Sequence, residues 1–354
     1  MAPPRAPEML FLERVHSHHR DERIVFDETT HKYTIDSDRV YTISVSGLVH
    51  EYFPHFDSQV VVEKYFKSWN ENKNSKYFSL IRYLRCVMKI DNDEDIKAEI
   101  AASWNAAGTA ASGAGTKTHL DIELWLNGDS RCDVNNQDLD QFHAWRSTPP
   151  YDSWSVYRTE WSIFDDRACV AGQIDSLWID KDGKYHMVDW KRCARMEDKN
   201  SFGEMGFEPF SNLPNTNLGH YTVQQNAYAH ILRKYYGIEC SSLSLVQIHP
   251  SIETYKIWHL PIMKESTADV FARRYRAVKN GEVVGYILAS EGLKRKALSP
   301  DEEAAREALR ARDMRLLACL LTRANDIERR WGGDVDGARK ANDDASDATK
   351  RAHT

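Results

Sequence analysis

At 354 residues the chain is long enough to bury a substantial core, as one large domain or as a core with appendages. Its 47 basic and 53 acidic side chains leave a net charge of −6. No global basic field marks it as a nucleic-acid binder, although a local basic groove is compatible with an acidic remainder. No run is apolar enough to span a bilayer. The six cysteines (Cys86, Cys132, Cys169, Cys193, Cys240, Cys319) form no Cys-x-x-Cys pair, so neither a zinc site nor an iron–sulfur cluster is suggested. With no secretory segment, the expected setting is an intracellular, reducing compartment, the organelle left open.

In chain order, residues 1–22 read as a flexible lead-in. From Arg23, RIVFDETTHKYTIDSDRVYTISVSGL alternates apolar and polar residues between turn clusters, which predicts two or three short antiparallel strands. Ser44 or Ser46 caps a helix that stops before Pro54, and 58–70 and 76–89 are helical by periodicity. Residues 23–92 are therefore expected as an N-terminal cap packed on a core spanning 93–292. That core opens with a mostly helical stretch, 94–127, interrupted by AAGTAASGAG, with a helix from about 115 to 126 ended by Asn127-Gly128. A helix over 136–147, a strand over 155–164, an irregular insert over 195–218 and a helix over 219–236 follow. Strands at 243–249 and 254–260 and a helix at 267–280 complete the core. Residues 293–354 read as a charged helix to about 330 and a disordered tail.

The stretch 171–192, AGQIDSLWIDKDGKYHMVDWKR, organises the rest. Two β-prone runs flank Lys181-Asp182-Gly183, a hairpin signal. A three-residue loop with Gly183 in the left-handed region sets position 175 opposite 189. The two-residue period then places Asp175, Asp189 and Lys191 on one face and turns Val188 and Trp190 to the other. Two carboxylates and an ammonium on one sheet face suit a hard divalent cation; a solvated edge is the plain alternative.

Other chemistry-bearing residues surround that stretch. His119 and Glu123, at i and i+4 of GTKTHLDIELWL, share a helix face and supply an imidazole and a further carboxylate, unless they are only surface neighbours. Gln224 and Tyr228 repeat that spacing in GHYTVQQNAYAHIL, with Gln225 a rival for Gln224 and an amphipathic core helix the plainer account. Glu160 is either an outer ligand or half of a cross-strand ion pair. Arg158, Arg192, Arg195 and Lys199 are either phosphate contacts or surface charge. Phe202, Phe207 and Phe210 either stack bases or pin the insert, and pinning is the expectation.

In order, GTxxHxxIE, Glu160, GxxD (Gly172 to Asp175), DWK (Asp189 to Lys191) and QxxxY (Gln224 to Tyr228) resemble the PD-(D/E)XK nuclease superfamily. The likeness is to its RecB-like exonuclease branch, that of the mitochondrial genome maintenance exonucleases and of viral and phage relatives. The resemblance covers about 104–249. It implies an α/β (α+β) fold with a restriction-endonuclease-like core, a central mixed sheet flanked by helices. It also implies a divalent-metal-dependent deoxyribonuclease acting on DNA, as single strands or at ends, in processing, repair or recombination. Asp175, Asp189, His119 and Glu123 would be metal ligands, Lys191 the catalytic lysine, and Gln224 with Tyr228 its supporting pair. The cofactor would be Mg²⁺ or Mn²⁺, with imidazole favouring Mn²⁺. Ile174 stands where the superfamily's name puts proline. The four-cysteine cluster of some RecB-like relatives is absent. An endonuclease cutting internally or at branched DNA, and a catalytically silent nucleic-acid binder, are the rival readings.

Overall fold

The computed structural model describes residues 11–289 except 134, 201 and 202. The chain divides into two units, Met1–Gly292 and Leu293–Thr354. The second, where the sequence suggests a charged helix and tail, lies outside the described residues.

The segment expected as a flexible lead-in is anchored from residue 11 on. Helix α1 (Phe11–Val15) buries Leu12. Beyond it Asp21 takes both the Trp161 indole N–H and the Arg158 guanidinium at 2.8 Å. The Arg20 guanidinium lies 3.8 Å over the Phe164 ring and donates to the Phe164 carbonyl. Ion pairs and aromatic stacking tie this segment down, and neither follows a sequence period.

Strands β1 (Ile24–Asp27), β2 (Lys32–Ile35) and β3 (Arg39–Tyr41) form an antiparallel meander. Next come β4 (Ile43–Ser44) and α2 (Val45–His50), where Ser44 Oγ accepts the Gly47 amide at the helix start. Helices α3 (Ser58–Glu71) and α4 (Lys76–Cys86) pack with the first turns of α5 (Asp93–Leu126) around Val62, Phe66, Ile81, Leu84, Ile96 and Ile100.

Helix α5 runs unbroken for 34 residues through the stretch expected to interrupt it. The alanines there have the best helix propensity, which offsets about 1 kcal/mol per glycine. Asn92 caps its start, and Thr109, Thr116 and Thr118 donate to carbonyls four residues back.

After α6 (Gln137–Arg146) come β5 (Ser155–Asp165), β6 (Val170–Ile179) and β7 (Tyr185–Arg192). Helix α7 (Asn217–Ile231) continues through a π-helical turn to Gly237 at φ 69°. Strands β8 (Cys240–Ile248) and β9 (Lys256–Leu260), α8 (Lys264–Lys279) and β10 (Tyr286–Leu288) follow. Strand β10, absent from the sequence reading, closes the small sheet against β3.

The fold is α+β. In the larger sheet β5–β6, β6–β7 and β8–β9 are antiparallel, while β7–β8 and β4–β6 are parallel. One face packs Val223, Ala227 and Ile231 of α7 together with α2 residues and Phe271 of α8. The other packs α5 and α6 through Ile122, Phe142 and Trp145 against Trp178, Val188 and Trp190. Among the described residues no helix is long and apolar enough to cross a membrane.

Candidate active site

Strand β6 changes partner along one edge, and the candidate site lies at that change. Strand β5 occupies one edge of β6 over its whole length. On the other edge β4 pairs at Val170 and Ala171, and β7 pairs from Ser176 onward. Residues 172–175 lie between the two pairings. Asp175 fills the gap itself: its Oδ2 accepts the Trp190 amide at 3.0 Å.

The hairpin turn sets what faces Asp175. Gly183 adopts φ 77° and its amide bonds to the Asp180 carbonyl, giving the register Ser176↔Val188. One step further, 175 faces 189. Asp189 is buried; its Oδ2 lies 2.5 Å from Lys191 Nζ and its Oδ1 accepts the Gln225 amide at 2.7 Å. Lys191 Nζ also sits 4.7 Å over the Tyr221 ring.

Helix α5 delivers His119 to the same place. Its Nε2 lies 2.7 Å from the Trp190 carbonyl, which can only accept, so Nε2 carries the hydrogen and Nδ1 offers a lone pair. Nδ1 faces Asp175 Oδ2 at 3.4 Å and Glu160 Oε1 at 3.9 Å. Glu160 stands opposite Asp175 in the β5–β6 register, between the pairs Thr159↔Ser176 and Trp161↔Ile174. Like charges directly opposite are destabilising. Glu160 moreover holds φ 43°, left-handed for a non-glycine inside a strand. The ligand-capable atoms of His119, Glu160 and Asp175 lie within 4.8 Å of one another. An imidazole whose far nitrogen donates to a backbone carbonyl, beside two carboxylates, is a donor set that fits a divalent cation.

The charges are strongly coupled. Burial and then the Asp175 carboxylate push Asp189 up to about 6. Burial would lower the Lys191 ammonium, but Asp189, Asp175 and Tyr221 outweigh it and the net shift is upward. Lys191 is therefore a fixed positive charge. Burial raises the Tyr228 hydroxyl well above its usual value and keeps it neutral. The Tyr228 ring also explains Gly172: a Cβ there would lie 2.5 Å from Tyr228 Cε1 and 3.0 Å from Val45.

Asp175, Asp189, Lys191 and His119 thus come together, with Tyr228 packed beneath them. Glu123 is buried one turn beyond His119 but lies outside the His119–Glu160–Asp175 set, and Glu160 is the carboxylate that joins His119 and Asp175 there. Gln224 donates to Ser46 Oγ at 2.8 Å, and the amide at the carboxylates is Gln225. The spacing i, i+4, i+7 of Tyr221, Gln225 and Tyr228 was the available signal for Gln225. For Glu160 the signal was its register opposite Asp175. Two of the basic residues are tied down, Arg158 to Asp21 and Arg192 to Asp138 at 2.6 Å, while Arg195 and Lys199 are exposed. Phe210 is buried and packs edge-on to Tyr52, Phe207 is exposed, and Phe202 lies outside the described residues.

No protein-family profile matches the sequence, and no curated protein does. Among solved structures, a provisionally named exonuclease from Eubacterium rectale is similar over 71% of this chain and 78% of its own, at 13% identity and a TM-score of 0.25. A likeness that slight carries no argument about the site.

Proposed function

We propose that the chain is a divalent-metal-dependent nuclease that hydrolyses DNA phosphodiester bonds, working as an exonuclease. One observation carries this reading: His119 Nδ1, Glu160 and Asp175 converge beside the Asp189–Lys191 pair, where β6 changes partner. The DNA substrate follows from the resemblance of GTKTHLDIE, Glu160, GxxD, DWK and the α7 helix to RecB-like exonucleases.

His119, Glu160 and Asp175 are the residues that would hold Mg²⁺ or Mn²⁺, with Asp189 adjoining them. A bound cation supplies an acidified water and neutralises charge on the phosphoryl oxygens. The chain's own groups do the rest. Trp190 fixes two donors at once, its amide holding Asp175 and its carbonyl holding His119. Gln225 orients Asp189. Lys191 presents a permanent positive charge to the oxygens that become more negative in the transition state.

The test is cleavage of end-labelled linear DNA, single- and double-stranded, with Mn²⁺, Mg²⁺ or EDTA, run beside Lys191→Ala. Degradation that needs metal, favours Mn²⁺, proceeds from ends and disappears in the variant supports the reading. Opening of a circular substrate would replace the exonuclease with an endonuclease. Retained DNA binding without cleavage in either metal would replace it with a silent binder.

A further inference from the structure

We infer a second nucleic-acid contact, remote from the carboxylates, in which an aromatic groove on the α3–α4–α5 helices stacks the bases of a single strand. The inference rests on the nuclease reading for its occupant and on separate residues for its site.

Phe56, Tyr65, Trp69, Tyr77 and Trp104 line a groove of about 630 Å³ together with Lys76. The Trp69 and Tyr77 ring centroids are 4.2 Å apart, and Trp104 lies 5.9 Å from both Trp69 and Phe56. Phe56 is 71% exposed. Aromatic rings left half open at the surface are costly unless something covers them.

Charge selects the occupant. Residues 58–86, spanning α3, α4 and their connection, carry six basic against two acidic side chains, in a chain whose total is −6. Two of these cations sit on the groove's own rings, Lys64 Nζ 5.2 Å over Tyr65 and Lys76 Nζ 4.8 Å over Tyr77. Rings that stack and lysines that meet phosphates are what a single strand requires, without regard to sequence.

The groove also points towards the candidate site. A second groove shares Trp104 and continues past Asn105, Gly108, Thr109, Ser112 and Gly113. At 100° per residue, Trp104, Gly108, Ser112, Gly115 and His119 fall on one face of α5. Among the described residues, a Cβ at Gly108 or Gly115 would meet nothing within 4 Å, so that face is open at both positions. From Trp104 to His119 the helix rises about 22 Å. A strand stacked at Trp104 and following this face of α5 would run towards His119.

The experiment titrates the full chain with a fluorescein-labelled single-stranded oligonucleotide in EDTA, so that binding is read without cleavage. Wild type is compared with Trp104→Leu and with the surface double variant Lys64→Ala/Lys76→Ala, and melting temperatures report folding. Both variants are expected to bind about ten-fold more weakly. In the lysine variant the slope of log affinity against log salt falls by about 1.4, at roughly 0.7 per phosphate contact. Unchanged affinity and slope in the lysine variant would overturn the inference, whatever Trp104→Leu does to stability. So would concentration-dependent self-association that the variants abolish while oligonucleotide binding persists, because the groove would then seat a second copy. Failure of the nuclease reading looks different: wild type would bind the strand here yet never cut it with metal.

Discussion

Around the candidate site, the two faces of the β6–β7 hairpin carry opposite kinds of residue at alternate positions of the same strands. Trp178, Val188 and Trp190 point into a layer with Trp145 and Phe142, in which Trp190 lies 5.0 Å from Trp145 and 5.3 Å from Phe142. Asp175, Asp189 and Lys191 point the other way, into a cluster whose charges repel or are held out of water. The tryptophan face supplies stability only, whereas the other sets charges in an arrangement that lowers stability beside the buried Leu177 and Met187, which add to it. Trp190 joins the two: its side chain belongs to the apolar layer while its amide and carbonyl hold Asp175 and His119.

The sharpest way to break this contrast is to hollow out the apolar face. Trp190→Ala is expected to cost about 3–5 kcal/mol in a denaturant melt, and a loss below about 1 kcal/mol would mean that the layer is not the hairpin's support. On the polar face, Lys191→Ala should lower DNA cleavage roughly 10²- to 10³-fold, the range for losing one electrostatic stabiliser of a transition state. Its melting temperature should change far less than that of Trp190→Ala. Gln225→Leu removes only the group orienting Asp189 and should lower cleavage by about 10- to 100-fold, whereas Gln224→Leu should leave the rate near wild type. A reversed ranking of the two glutamines would return the supporting role to Gln224.

The smallest effects run towards greater stability. Asp175→Asn relieves the opposition to Glu160 and Asp189 while its side-chain carbonyl still accepts the Trp190 amide. It should stabilise the metal-free protein by about 1 kcal/mol while abolishing cleavage. The pH dependence has a definite sign. Asp189, raised from 3.8 to about 6, binds more protons folded than unfolded across that interval. Its contribution is present at acid pH and is lost as pH rises through about 6. Metal-free melts between those values should show the decline, and Asp175→Asn should blunt it because Asp175 is one of its causes. A slope unchanged by the substitution would separate the two carboxylates.

Much of the hairpin was legible in the sequence because turn chemistry sets register: Gly183 fixes 175 opposite 189, and alternation fixes the rest. The imidazole was legible because helical spacing is regular. Glu160 was harder to rank because a bulge between Val156 and Arg158 shifts the β5–β6 register, and only the register sets it opposite Asp175. Gln225 and Gln224 are adjacent, and periodicity alone admits either. The unbroken α5 turned on weighing its alanines against its glycines, while the anchoring of Arg20 and Asp21 on β5, and β10, depend on tertiary contacts that leave no local pattern. The same holds for Arg158, whose partner Asp21 is 137 residues away.

The central claim is that His119, Glu160 and Asp175 hold a divalent cation, and calorimetric titration of Mn²⁺ into wild type and Asp175→Asn tests it most directly. One saturable site in wild type, lost in the folded variant, is the expected result. Equal binding by both proteins, or none by wild type, would contradict it.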